Sequence, residues 1–122
     1  MSRRSSVVAV IDNDSGILRA MKRLFSAYEY ETELYASATE FLEVAAASMA
    51  SCLIVDVKLE DISGVELALQ LKEGGFTFPI IFMSASDDGM IERRAIEAGC
   101  IAYLRKPFSA ELLMGALDKV TR

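Results

Sequence analysis

Val7-Val8-Ala9-Val10-Ile11-Asp12-Asn13-Asp14 and Cys52-Leu53-Ile54-Val55-Asp56 are the two stretches that decide the fold. Each is a short apolar run, rich in β-branched residues, that stops abruptly at an acid. A strand with one wet face alternates apolar and polar residues, whereas a run that is apolar throughout suits a parallel sheet covered on both sides. Outward from the first stretch, Ile17, Leu18, Met21, Leu24, Phe25 and Tyr28 recur at helical spacing and predict a helix starting at Asp14 or Ser15. Glu31 to Tyr35 then reads as a second strand. Ser37-Ala38-Thr39-Glu40 has the Ser-x-x-Glu spacing of a capping box, ahead of a helix to about Ser48.

Outward from the second stretch the pattern is less clean. Val65, Leu67, Leu69 and Leu71 alternate as a half-buried strand would. Against that, Ser63 and Glu66 form a second capping box, the residues between are good helix formers, and Gly74-Gly75 supplies a stop, so a helix is expected. Pro79 enters a fourth strand, Ile80-Ile81-Phe82-Met83, which ends at Ser84-Ala85-Ser86. A helix from Asp87 or Asp88 to Gly99 would place Ile91, Ala95 and Ala98 on one side. The fifth strand is expected at Cys100 to Leu104. After Pro107-Phe108-Ser109, Leu112, Leu113, Ala116, Leu117 and Val120 stripe a last helix.

Five strands alternating with five helices, without linker or repeat, predict a doubly wound α/β domain whose parallel sheet carries helices on both faces. The 122 residues suffice for one such core and not for two, so a single domain spans 1–122. Residues 1–6 are expected to form a disordered N-terminal segment. Ligands of such sheets bind beyond the carboxyl ends of the strands. That rule gathers Asp12, Asn13, Asp14, Asp56, Ser84, Ser86 and Lys106 along one edge.

Composition narrows the chemistry. With 52% apolar and 25% charged residues the chain reads as globular and soluble, and no apolar run approaches a membrane span. A formal charge of −5 repels phosphate backbones, so this segment is not expected to bind nucleic acid directly. Histidine is absent, which removes the commonest general base, histidine-dependent nucleophiles and most zinc sites. Cys52 and Cys100 lack metal-ligand spacing and each opens an apolar stretch. Both are expected as buried free thiols, in a reducing cytoplasmic compartment. The basic start is followed by a strand-like run rather than a signal-peptide core.

Singly, the edge residues have ordinary explanations: an acid after a strand is a turn or cap residue, Ser84 a hydroxyl satisfied by backbone, Lys106 an ion-paired lysine. Together they say more. Carboxylates crowded at one edge repel each other unless a cation joins them, and oxygen-only ligands suit a hard ion such as Mg²⁺. A lysine and a hydroxyl opposite them can hold phosphoryl oxygens. Acid, metal, hydroxyl and lysine describe phosphoryl transfer to a carboxylate.

On these residues the chain resembles the receiver domain of two-component response regulators, in its FixJ-like subgroup, from Val7 to about Val120. The resemblance is carried by Val10-Ile11-Asp12-Asn13-Asp14, Leu53-Ile54-Val55-Asp56-Val57-Lys58-Leu59, Ile62-Ser63-Gly64-Val65-Glu66-Leu67, Ile81-Phe82-Met83-Ser84-Ala85 and the run from Ala98 to Phe108. It implies a flavodoxin-like sheet of order 2-1-3-4-5. It implies that Asp56 takes a phosphoryl group from a phosphohistidine of a sensor histidine kinase or phosphotransfer protein. Mg²⁺ would be held by Asp12, Asn13, Asp56 and the backbone carbonyl of Lys58, while Ser84 and Lys106 contact the attached phosphoryl group. The Lys106-Pro107 peptide would be cis. Lys58 and Ser86 would tune the lifetime of the acyl phosphate. Ser84 and Tyr103 would form the switch, Tyr103 turning from solvent into the interior and altering the face of the fourth helix, fifth strand and fifth helix. That face would dimerise or dock an effector, with Met90, Ile91 and Tyr103 beside Arg93, Arg94 and Glu97; the plainer alternative is that Tyr103 packs and Ile91 is core. The whole would be a signalling domain rather than an enzyme, apart from catalysing its own phosphorylation and dephosphorylation. In FixJ-like relatives a helix-turn-helix effector follows.

Two departures bear on that. The family usually has an acid where Asn13 stands, and losing its charge is expected to weaken the metal site. It usually has proline where Glu60 stands, so the loop after Asp56 is expected to be more mobile and more acidic. Asn13 also opens an alternative, a receiver-like interaction module with little phosphorylation. Rivals from other classes fit less well. A haloacid-dehalogenase-type phosphatase needs an acid at the position of Lys58, and a flavodoxin's phosphate loop is rich in Ser, Thr and Gly where this chain has Asp12-Asn13-Asp14.

Overall fold

The computed structural model describes residues 6–121. Over them run β1 (Val7–Ile11), α1 (Ser15–Ala27), β2 (Glu31–Tyr35), α2 (Ala38–Val44), β3 (Cys52–Asp56), α3 (Gly64–Glu73), β4 (Ile80–Ser84), α4 (Gly89–Glu97), β5 (Ala102–Arg105) and α5 (Ala110–Thr121). The strands form one parallel sheet in the order β2-β1-β3-β4-β5. Central β3 is buried at every position, as its unbroken apolar run requires.

Side chains alternate across the sheet into two cores. Ala9, Ile11, Leu53, Val55 and Phe82 meet Phe41, Leu67, Leu71 and Ala95 of α2, α3 and α4. Val8, Val10, Cys52, Ile54, Ile81 and Met83 meet Met21, Phe25, Leu113 and Leu117 of α1 and α5. The ambiguous stretch in α3 resolves by helical geometry. Leu67 and Leu71, four apart, enter the core, while Leu69 is 42% exposed. Polar caps start the helices: Asp14, Ser37, Ser63 and Asp88 accept backbone N–H groups of α1, α2, α3 and α4, and Ser109 accepts the Leu112 N–H of α5. The capping boxes close imperfectly. Glu40 accepts the Ala36 N–H at 3.1 Å rather than that of Ser37, and Glu66 accepts instead from the Gln70 amide at 3.4 Å.

Several expectations need correction. The α-helix of α2 ends at Val44 and tightens into a 3-10 turn, Ala45–Ala47, because Glu33 of β2 draws the chain away by accepting from Ser48 Oγ at 2.7 Å and the Met49 N–H at 3.1 Å. Tyr28 lies just past α1 and is exposed; Tyr30, beyond the left-handed Glu29 (φ 69°), meets Phe25 edge-on at 5.9 Å instead. Leu112 is exposed, and Met114 packs in the core's margin. β5 begins at Ala102, two residues later than expected, because Gly99 (φ 90°) ends the α4 turn and Cys100 and Ile101 complete the connection.

Both cysteines are free. Cys52 and Cys100 belong to opposite faces of the sheet, and Cys100 is only half-buried. Burial raises both thiols, that of Cys52 to about 12. Of the N-terminal segment expected to be disordered, residues 1–5 lie outside the described residues, while the Ser6 carbonyl accepts the Glu31 N–H at 3.1 Å. Among the described residues no helix is long and apolar enough to cross a membrane.

Candidate functional site

Asp12 follows β1 and Asp56 ends the neighbouring β3. Each carboxylate uses one oxygen to close its own turn: Asp12 Oδ1 accepts the Asp14 N–H at 2.9 Å, and Asp56 Oδ1 accepts the Lys58 N–H at 3.0 Å. The turn explanation is therefore correct as far as it goes. The second oxygens converge. Lys106 Nζ lies 3.4 Å from Asp12 Oδ2 and 3.3 Å from Asp56 Oδ2, while its backbone N–H donates to the Ser84 carbonyl at 2.8 Å. The Lys106-Pro107 peptide is cis.

The cluster is poorly hydrated. Asp12 is 1% exposed and Asp56 9%. Burial raises the pKa of Asp12, the Asp56 charge adds to the rise, and the Asp14 N–H and Lys106 oppose it. One ammonium between two carboxylates leaves the edge short of positive charge.

Ser84 is fully buried, and its hydroxyl accepts the Ser86 N–H at 3.0 Å and donates to the Ser86 carbonyl at 3.4 Å. Asn13 is exposed between the two aspartates. Asp14 is committed elsewhere, accepting the Gly16 and Ile17 N–H groups at the start of α1. The exposed Lys58 contributes its backbone N–H to Asp56.

Tyr103 is half-buried. On β5 opposite Phe82, it packs on the core that contains Phe82 and Ala95, and its hydroxyl is buried with no hydrogen-bond partner among the described residues. Ile91, also half-buried, packs on the same core.

Among the described residues no group of three His, Cys, Asp or Glu side chains is placed to hold a metal ion. The edge nevertheless offers oxygen donors: two carboxylates, the Asn13 amide and the Lys58 carbonyl. Hard donors around an excess of negative charge fit Mg²⁺, with one charge fewer than a third acid would give.

Two further residues shape the site and were missed in the sequence. Gly64 opens α3 against β3. A Cβ there would collide with the Asp56 carbonyl oxygen, so the close approach requires glycine. Its signals were a glycine immediately after a cap serine, where a helix former is usual, and its place in the segment Ile62 to Leu67 that carries the resemblance, neither of which assigned it this role. Asp61, in the loop between Asp56 and α3, accepts from the backbone N–H groups of Ala38 and Thr39 and from the Thr39 hydroxyl. That contact, 22 residues away in sequence, left no local signal. A groove of about 530 Å³ between α3 and α4, lined by Val65, Leu69, Ile91 and Arg94, reaches this edge only through Val57 and Lys58.

Residues 8–118 match the family model of the response regulator receiver domain. The response regulator protein TodT of Pseudomonas putida is 38% identical over 117 residues, covering 96% of this chain and 52% of TodT. The chain spans about half the length of the curated relatives it matches. Among solved structures, a response regulator receiver domain from Clostridium thermocellum has a TM-score of 0.86 at 27% identity, covering 93% of this chain and 92% of that one. FixJ-N has a TM-score of 0.90, covering 96% and 94%; at 22% identity the likeness is one of fold.

Proposed function

The chain belongs to the receiver-domain family of response regulators, and from that premise we propose that Asp56 accepts a phosphoryl group from the phosphohistidine of a sensor histidine kinase or a phosphotransfer protein. The observation that carries this reading is the meeting of Asp12 and Asp56 about Lys106 Nζ at the ends of adjacent central strands. A carboxylate oxygen of Asp56 attacks phosphorus, the P–N bond to the donor imidazole breaks, and an acyl phosphate remains. Lys106 then exchanges carboxylate partners for phosphoryl oxygens, a move its long stem permits. Ser84 gives up Ser86 to donate its hydroxyl to the phosphoryl group. Asp12, the Asn13 amide oxygen, Asp56 and the Lys58 carbonyl would hold Mg²⁺, which when bound neutralises the carboxylates and the incoming phosphoryl oxygens.

The output follows from Ser84. The change begins when the Ser84 hydroxyl leaves Ser86 and frees the loop into α4, and Tyr103 on the neighbouring β5 follows. The face of α4, β5 and α5, with Met90 54% and Ile96 57% exposed, would then dimerise or control an effector. Reduction with borohydride after incubation with a small acyl phosphate tests the acceptor directly, since it converts an aspartyl phosphate to homoserine. Tandem mass spectrometry should find homoserine at position 56 alone. Its absence in a protein that retains its fold would favour the interaction-module reading that the neutral Asn13 permits.

A further inference from the structure

The loop from Val57 to Ser63 joins the phosphoacceptor strand to α3 and carries Lys58, whose N–H holds Asp56 Oδ1 at 3.0 Å. Its ends are tied: the Gly64 N–H donates to the Val57 carbonyl at 2.9 Å, and Ser63 caps α3. Its middle contains the exposed Glu60, so no proline ring restrains the backbone there. Leu59 and Ile62 pack against the core on either side of Glu60, and Asp61 ties the loop to α2. Its Oδ1 accepts the Ala38 N–H at 3.3 Å, and its Oδ2 accepts the Thr39 N–H at 2.8 Å and the Thr39 hydroxyl at 2.7 Å. These are two of the N–H groups that the first turn of a helix leaves without intrahelical partners. Ser37 takes a third, that of Glu40, at 3.1 Å. The far end of the clamp is fixed, because Ala38 and Phe41 of α2 are fully buried.

Exposed ion pairs hold little because both side chains are mobile. Here a short carboxylate meets rigid backbone donors, which is the stronger geometry. The Thr39 hydroxyl and these N–H groups keep the Asp61 carboxyl below the usual carboxylate range.

We propose that Asp61 is a positioning residue for the phosphoacceptor: by clamping the Val57–Ser63 loop to the start of α2 it holds the Lys58 backbone, and through it Asp56, in the receptive arrangement. The proposal rests on Asp56 being the acceptor. A plain capping role for α2 is the competing explanation, and Ser37→Ala separates the two, since it removes a cap from the same helix without touching the loop.

The test compares the parent, Asp61→Ala, Asp61→Asn, Thr39→Ala and Ser37→Ala. Phosphorylation by a small acyl phosphate with Mg²⁺ is followed by intact mass, and the Lys58 amide resonance is titrated with Mg²⁺. Asp61→Ala should slow phosphorylation and weaken the Mg²⁺ response by at least about fivefold, a modest loss for a displaced reacting group. Asp61→Asn and Thr39→Ala should fall between, and Ser37→Ala should match the parent in both readouts. Equal effects from Asp61→Ala and Ser37→Ala, or none from Asp61→Ala, overturn the proposal. Should the parent take no phosphoryl group, the function proposed above fails first. Hydrogen exchange at residues 57–63 then decides the clamp, which predicts faster exchange in Asp61→Ala than in Ser37→Ala and is refuted by equal rates.

Discussion

Two carboxylate sites lie on this domain, one at the strand edge and one on the loop that follows Asp56, and the protein treats them oppositely. At the strand edge Asp12 is buried beside a like charge and its pKa is raised, chiefly by desolvation. At the loop clamp Asp61 is exposed, surrounded by donors, and its pKa is lowered, chiefly by the Thr39 hydroxyl. The first site is held in electrostatic tension. The second is satisfied and holds still. The two carboxylates differ here in what surrounds them, not in residue type.

Removing the shared cation should break the strand edge most severely. Lys106→Met leaves two poorly hydrated carboxylates facing each other and should destabilise the domain by about 2 kcal/mol at neutral pH, below the range for a fully buried pair because the lysine is partly exposed. The pH dependence has a defined sign. A carboxyl with a raised folded-state pKa lets the folded protein bind more protons, so stability falls as pH rises through that value. The Lys106→Met deficit should therefore shrink on acidification as Asp12 takes a proton. Urea midpoints across pH measure it, and a deficit that grows at low pH would be inconsistent with this electrostatic picture.

Gly64 joins the two regions, since the clamped loop returns to Asp56 through it. Gly64→Ala must displace the Asp56 carbonyl and should cost about 1–3 kcal/mol in urea unfolding, an overpacking loss. A neutral substitution there would mean that loop and strand are less tightly joined than their geometry indicates.

Charge can also be added to the tense site. Asn13→Asp should strengthen Mg²⁺ binding by about 1 kcal/mol, several-fold in affinity, whereas Asp14→Asn should matter less because Asp14 caps α1. Titration of amide shifts with Mg²⁺ checks both. No gain from Asn13→Asp, with binding lost in Asp14→Asn, would shift the metal ligand by one position.

The smallest effect belongs to the clamp. Because the Asp61 pKa is lowered on folding, its contribution to stability is present above 3.8 and lost as pH falls through the folded-state value. The stability difference between the parent and Asp61→Ala should be flat near neutrality and close in strong acid. A difference that widens on acidification would reverse the assigned sign.

The legibility of the molecule in its sequence divides along similar lines. The strands, the sheet edge and the convergence of Asp12, Asp56 and Lys106 were legible because buried parallel strands are apolar at every position and their ends stand out as abrupt polar breaks. Asp61 and Gly64 were not, since a contact with α2 and a close approach to β3 are set by packing between distant elements and produce no period. Tyr28 and Leu112 fitted a helical stripe yet sit exposed, because helix ends and rotation set which stripe members reach the core.

The central claim is that this edge delivers one phosphoryl group to Asp56. The most direct test is intact-mass analysis after incubation with a small acyl phosphate and Mg²⁺, on the parent and on Asp56→Ala. One phosphoryl group that is released by alkaline hydroxylamine, and is absent from Asp56→Ala, is the predicted result. Equal phosphorylation of Asp56→Ala, or a hydroxylamine-resistant adduct on the parent, would contradict it.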